Sequence, residues 1–264
     1  MRTGSSAPWP TVEDWRRIID EAADLGVEDV QFIGGEPTLL PELPGLVQHA
    51  VRHRLAVEIY SNLARPISDE LWRIFGLRGV RLATSYHAAN HAIHDRLTTR
   101  LGSHKMTRAN IIQARRRGVP LRVGVVAVGD GVDATSAVAD LASLGVVNVK
   151  VDRLRQVGRG VRDSEPGVKE LCGRCAESSL AVLPTGDVLP CVFARWLRLG
   201  NARTTSLSEI NEAADAVRAD LRSNFVLHAD ECDPKKNECD PTKKDGDPHG
   251  CDPEYKQCDP WKNL

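Results

Sequence analysis

Apolar positions recur at helical spacing at Trp15, Ile18, Ile19 and Ala22, between Thr11 and Gly26. That spacing predicts a helix, and Thr11-Val12-Glu13-Asp14 has the outline of a capping box at its start. The pattern then switches to short apolar runs separated by helical stretches. "VEDVQFI" (27–33), "LAVEIYSN" (55–62), "GVRLATS" (79–85), "LRVGVVAV" (121–128) and "VNVKVDRL" (147–154) read as strands. Between them, "ELPGLVQHAVRHR" (42–54), "SDELWRIFG" (68–76, Ser68 as N-cap), "TRANIIQARRRG" (107–118) and "ATSAVADLASLG" (134–145) read as helices. His87 to His104 reads as a polar loop. The strands are near-continuous apolar runs, which predicts burial on both faces. Five strands alternating with helices predict consecutive βα units and a parallel sheet, α/β in class, closed in part into a (β/α) barrel. The series opens on a helix, as if a first strand were missing.

Beyond about Gly160 the pattern changes. A strand at 180–183, a turn through Pro184-Thr185-Gly186-Asp187 and a return strand to Cys191 read as a hairpin. "SLSEINEAADAVRADLRS" (206–223) reads as a helix. The tail from Glu231 repeats Cys-Asp-Pro four times and has no apolar periodicity, so it cannot build a core alone. The division is therefore 1–162, a partial barrel, and 163–264, a small Cys-rich C-terminal domain.

Composition narrows the classes. In 264 residues, 35 Lys+Arg stand against 36 Asp+Glu, a balance that offers no nucleic-acid surface. The longest apolar runs are strand-sized, which excludes a membrane span, and "MRTGSSAPWP" has no apolar signal core. A cytoplasmic, reducing location is the expectation. All seven cysteines, Cys172, Cys175, Cys191, Cys232, Cys239, Cys251 and Cys258, fall in the last third of the chain. An odd number in such a compartment argues for metal binding over disulfides, with zinc and iron–sulfur as the two candidates.

"VQFI" runs into Gly34-Gly35-Glu36-Pro37. Glycines after a strand at the C-terminal edge of a parallel sheet let backbone groups approach a ligand with no Cβ in the way. Glu36 adds a carboxylate suited to an ammonium group. A tight βα turn with a solvated glutamate is the alternative reading of the same residues.

In its strand context this motif resembles the amine-binding motif of the radical S-adenosylmethionine (radical SAM) enzymes. "EIYSNL" (58–63), "TSYH" (84–87) and "GSHKMTRANI" (102–111) are similar to segments of that family's peptide maturases. Cys172, thirteen residues, Gly186, four residues and Cys191 resemble the opening of its SPASM or twitch extensions, with "LGN" (199–201) and "SLSEI" (206–210) in keeping. The resemblance implies reductive cleavage of S-adenosylmethionine to a 5′-deoxyadenosyl radical, which abstracts hydrogen from a substrate, a ribosomally made peptide. It implies a flavodoxin- or ferredoxin-like reductant. It assigns Gly34, Gly35, Glu36 and Pro37 to the methionyl amine, and Ser61, Asn62, Thr84 and Ser85 to ribose or carboxylate contacts. It also assigns the seven cysteines to auxiliary [4Fe–4S] clusters, although the tail spacing C-x6-C-x11-C-x6-C departs from the family's second block.

One element is missing. The family's radical cluster is held by C-x3-C-x2-C after the first strand, and residues 1–33 contain no cysteine. The absent strand and the absent loop are one gap. A truncated or misassigned start is the expectation; a degenerate family member, or a site completed by a partner, would leave the same gap. A metal-bound peptide-binding protein with zinc in the C-terminal domain is the alternative function. His87, His91 and His94 have zinc-like spacing but read as a loop lining the barrel mouth, while Arg153, Arg155 and Arg159 follow the last strand where they could meet a carboxylate.

Overall fold

The computed structural model describes residues 10–128, 133–154 and 179–229, together with residues 161, 167, 171 and 175–177. Helix α1 (Val12–Asp24) leads into strand β1 (Asp29–Phe32), and α2 (Leu43–Arg52) into β2 (Ala56–Tyr60). The units α3 (Asp69–Phe75)–β3 (Val80–Ser85), α4 and α5 (His91–Thr98, Ser103–Arg116)–β4 (Leu121–Ala127) and α6 (Ala134–Ser143)–β5 (Val149–Arg153) follow. The five strands pair in sequence order, every pair parallel. This is the expected βα series, and β1 is an edge strand. No helix among the described residues is long and apolar enough to cross a membrane.

The local signals account for the boundaries. Thr11 and Asp14 form the reciprocal capping box, and Ser68 caps α3 by accepting from the Leu71 amide at 3.2 Å. Alternation along the strands sends two different sets of side chains to the two faces. Val57, Ile59, Leu82, Val123 and Val125 are fully buried in the core with Leu43, Leu46 and Val47 of α2, Phe75 of α3, Ile111 of α5 and Leu141 of α6. Each such side chain contributes about 1.5–3 kcal/mol by leaving water.

The other face carries a charged network, so the burial expected on both faces encloses charges here. Gln31, Glu58 and Arg81 are register partners on adjacent strands, and Arg122 of β4 lies beside Ala83. Glu58 is 2% exposed, and its carboxylate accepts from Arg122 at 2.7 and 3.2 Å, from Arg81 at 3.3 Å and from the Gln31 amide. Burial alone would raise the Glu58 pKa. The Arg122 hydrogen bonds and charge, with Gln31 and Arg81 behind them, more than offset it and hold the pKa below its usual value.

A second difference lies between β3 and β4, where the polar loop is a helix. Asn90 caps α4 through the Ala92 and Ile93 amides, and Asp95 receives the Gly102 and His104 amides at 2.6 and 2.9 Å. Those backbone bonds, with the Ser103 hydroxyl, pull the Asp95 pKa down to about 2. They also start α5 four residues earlier than the Thr107 expected from periodicity, because the cap comes from a residue seven positions before Gly102.

The C-terminal region has a three-stranded antiparallel sheet, β6 (Ala181–Val182), β7 (Asp187–Leu189) and β8 (Gly200–Asn201), then α7 (Leu207–Ala229). The hairpin is as expected, and β8 extends it. It docks on α1: Ile18 and Ala22 pack with Val188, Ala202, Leu207 and Ile210. Arg17 donates to the Ala202 carbonyl at 2.6 Å, and Glu21 accepts from the Leu207 amide at 2.7 Å.

Candidate functional site

The turn after β1 places two consecutive residues at positive φ, Gly34 at 93° and Gly35 at 46°. A side chain there would be strained by about 1–2 kcal/mol per residue, which explains the glycine pair. A Cβ built on either glycine meets nothing within 4 Å, so the space above both is open. Glu36 follows with its side chain turned back into the fold. Its Oε1 accepts from the Thr38 hydroxyl at 2.6 Å, the Thr38 amide at 3.2 Å and the Ser61 hydroxyl at 2.7 Å, and its Oε2 accepts from the Asn62 amide at 2.8 Å. The carboxylate thus ties the end of β1 to the end of β2. Four donors fill most of its acceptor capacity, and one position on Oε2 remains. Pro37, buried, opens the short 3-10 turn Pro37–Leu39 that follows.

Ser61 is fully buried, and its hydroxyl also accepts from the Leu63 amide at 3.1 Å. Asn62 is exposed, and its side-chain oxygen accepts from the Ala64 amide at 2.8 Å. Both therefore sit beside the glycine turn. Ser85 ends β3, and its hydroxyl lies 3.0 Å from the Tyr60 hydroxyl. Gly124 opposite Ser85 makes room for this pair, because a Cβ there would lie 3.1 Å from the Tyr60 oxygen. Thr84 is placed differently. It alternates to the helix-covered face, is completely buried, and its hydroxyl has no hydrogen-bond partner. That position separates it from the Tyr60–Ser85 pair, so the two candidates of β3 divide between the faces.

Beyond β3 the "TSYH" segment builds a buried ring cluster. Tyr86 donates to Asp140 at 2.5 Å and meets His104 at 2.8 Å, and Arg108 pairs with the same Asp140. Burial first, then the Asp140 contact, pushes the Tyr86 pKa up. His94 is 1% exposed and packs against Tyr86, His87 and His104 at 5.3–5.4 Å between ring centres. Its Nδ1 bonds the Ser103 hydroxyl at 3.1 Å, and burial, with the His87 and His104 charges, lowers its pKa to about 4. His91, by contrast, is exposed. The three zinc-spaced histidines therefore do not converge as a set; His87 and His94 belong to a packing cluster that His104 completes. The pH consequence has a definite sign. His94 has a folded pKa below its unfolded value of 6.5, so its contribution to stability is present above that pH and lost as pH falls towards 4. Unfolding midpoints measured from pH 7 to pH 4 should fall with pH, and less steeply in His94→Leu.

Of the seven cysteines, Cys175 and Cys191 are among the described residues. Cys172, Cys232, Cys239, Cys251 and Cys258 lie outside them, as do Arg155 and Arg159; Arg153 ends β5. Cys175 is buried, and the two sulfurs are 3.6 Å apart. A disulfide needs about 2.05 Å. Two thiolates on one tetrahedral metal with bonds of about 2.3 Å sit near 3.8 Å apart. The turn at 175–177, held to the hairpin end by the Ala176 amide and the Pro190 carbonyl, thus brings the two thiols to a separation close to that of metal ligands.

Over residues 2–142 the sequence matches the Radical SAM superfamily, more than half of the chain. The chain belongs to that superfamily. Residues 172–240 match SPASM, an iron-sulfur cluster-binding domain, which places the thiol pair within an iron–sulfur region. Among curated relatives, a PqqA peptide cyclase of Streptomyces rochei is 29% identical over 259 residues, spanning 79% of this chain and 69% of that protein. One from Xanthomonas campestris pv. campestris is 27% identical over 245 residues, spanning 74% of this chain and 63% of that protein. The fold is shared with Streptococcus suis SuiB. SuiB bound to S-adenosylmethionine gives a TM-score of 0.60 at 16% identity, covering 81% of this chain and 61% of that one. SuiB bound to the precursor peptide SuiA gives 0.63 at 15%, covering 80% and 60%. The glycine turn and the two described cysteines stand at positions that the sequence singles out. Tyr60, Glu58 and Arg122 carry no signal beyond the alternation of polar residues inside apolar strands.

Proposed function

We propose that this chain serves in radical SAM peptide maturation, holding S-adenosylmethionine at the C-terminal edge of the sheet and an iron–sulfur cluster in the C-terminal region. The observation that carries the reading is the left-handed Gly34-Gly35 turn, open above and locked to β2 by Glu36. Bound S-adenosylmethionine would, on one-electron reduction, break to methionine and a 5′-deoxyadenosyl radical able to take a hydrogen atom from substrate. The chain's own part is positioning. Backbone oxygens of the glycine turn and the remaining position on Glu36 Oε2 accept from the methionyl amine, and Pro37 fixes the exit of the turn. Asn62 and the Tyr60–Ser85 hydroxyl pair offer hydrogen bonds to carboxylate and ribose. Thr84, on the other face, is not part of this set. No C-x3-C-x2-C occurs in the sequence, whose cysteines begin at Cys172, so the residues present do not fit the radical cluster and no cleavage step is assigned to them.

Cys175 and Cys191 hold the auxiliary iron–sulfur cluster, with Cys172 and the four tail cysteines as further ligands. The substrate is a ribosomally made peptide, in keeping with relatives named as peptide cyclases and with SuiB binding its precursor peptide. A flavodoxin- or ferredoxin-like protein supplies electrons, and the compartment is the cytoplasm. Anaerobic reconstitution with iron and sulfide tests the cluster assignment. Wild type should take up iron and sulfide together, and Cys175→Ser should lower both. Stoichiometric zinc with no iron uptake would overturn the assignment.

A further inference from the structure

On the helical layer, two imidazoles and a carboxylate converge. Asp20 Oδ1 on α1 lies 2.6 Å from His49 Nε2 and 3.0 Å from His53 Nε2, at the C-terminal end of α2. Among the described residues this is the one group of three or more His, Cys, Asp or Glu side chains with ligand atoms all within 4.8 Å of one another. The four-residue spacing of the histidines puts both rings on one helix face, 4.8 Å apart between centres. An ordinary ion pair needs one imidazole for the carboxylate. Here both Nε2 atoms lie within hydrogen-bond distance of the same oxygen; ligands of a tetrahedral ion with bonds of about 2.0–2.1 Å sit roughly 3.3 Å apart, so an ion entering here spreads the three side chains slightly. Asp20 and His53 are 44% and 38% exposed on their side chains, leaving room for water to complete the coordination.

We propose that Asp20, His49 and His53 form a divalent transition-metal site, separate from the cysteine region. Two imidazoles and one carboxylate suit a borderline ion of the zinc, cobalt or nickel kind rather than calcium or magnesium. The ion takes the place of the direct imidazole–Asp20 contacts and clamps α1 to α2. Asp20 precedes Glu21, which holds the first amide of α7, so the clamp also stiffens the helix on which the C-terminal region docks. Arg52 works against the ion. Its Nη2 lies 3.4 Å from His49 Nδ1 and places a positive charge beside the site.

Cobalt(II) added to the intact chain tests the site through its absorption. Subtracting the His53→Ala spectrum from the wild-type spectrum removes the contribution of the cysteines. The difference should show weak visible bands without sulfur-to-cobalt charge transfer, equal to one ion per chain. Loss of outer-shell partners alone weakens metal sites by about 10–100-fold, so loss of a ligand in His53→Ala or Asp20→Asn should cost at least tenfold. Arg52→Gln should bind cobalt more tightly than wild type. A featureless difference spectrum, or equal affinity in wild type, His53→Ala and Asp20→Asn, would overturn the proposal.

Discussion

Replacing Glu36 by alanine should weaken binding of S-adenosylmethionine by about 100-fold, equivalent to roughly 2.7 kcal/mol. The effect comes from what the carboxylate organises. Its removal leaves the buried Ser61 hydroxyl and the Asn62 and Thr38 amides without their acceptor, and for a buried donor such as Ser61 that loss costs about 1–3 kcal/mol. The side-chain link from the glycine turn to the end of β2 is then gone, and the turn loses its fixed aim. Glu36→Gln keeps an oxygen for some of these donors and should retain more binding. Equilibrium dialysis with radiolabelled S-adenosylmethionine, on wild type and both variants, reads the order wild type, glutamine, alanine. Equal binding by all three would mean that the carboxylate link plays no part in holding the ligand.

Glu58→Ala should lower unfolding stability by about 3–5 kcal/mol, the range for removing one partner of a buried ion pair. The substitution takes the carboxylate from between Arg81 and Arg122 on the inner face of the sheet. Arg122 also stacks over the Tyr60 ring at 5.5 Å, so the damage should reach the Tyr60–Ser85 pair. The pH dependence follows from the lowered pKa. The contribution of Glu58 is present above the unfolded value of about 4.5 and is lost as pH falls through the folded value. Urea denaturation at pH 7 should therefore separate wild type from Glu58→Ala widely, and the gap should narrow in acid. A loss below about 1 kcal/mol would indicate that water, rather than the fold, already solvates these charges.

These residues also mark where the sequence was easy and hard to read. The βα order, the Thr11 and Ser68 caps and the glycine turn are all local, and each needs only residues a few positions apart. Runs such as "VGVVAV" disclose burial but not which neighbour they face. Glu58 carries no local signal of its role, since its partners come from β3 and β4, 23 and 64 positions away. The early start of α5 was hidden for the same reason, because Asp95 reaches forward across a turn to cap it. Thr84 and Ser85 are adjacent in sequence, and only the register of β3 separates the core side chain from the one beside Tyr60. The convergence of Cys175 and Cys191, 16 positions apart, required the hairpin to close.

The central claim is that the turn after β1 and the end of β2 together receive S-adenosylmethionine. Two-dimensional amide NMR of the isotopically labelled chain, titrated with S-adenosylmethionine, measures this directly and responds even to weak binding. Saturable shifts of the Gly34, Gly35, Glu36 and Asn62 amides are expected, with the Gly34, Glu36 and Asn62 signals unmoved in Gly35→Val. Shifts confined to other parts of the sheet, or no shift at saturating ligand, would contradict the claim.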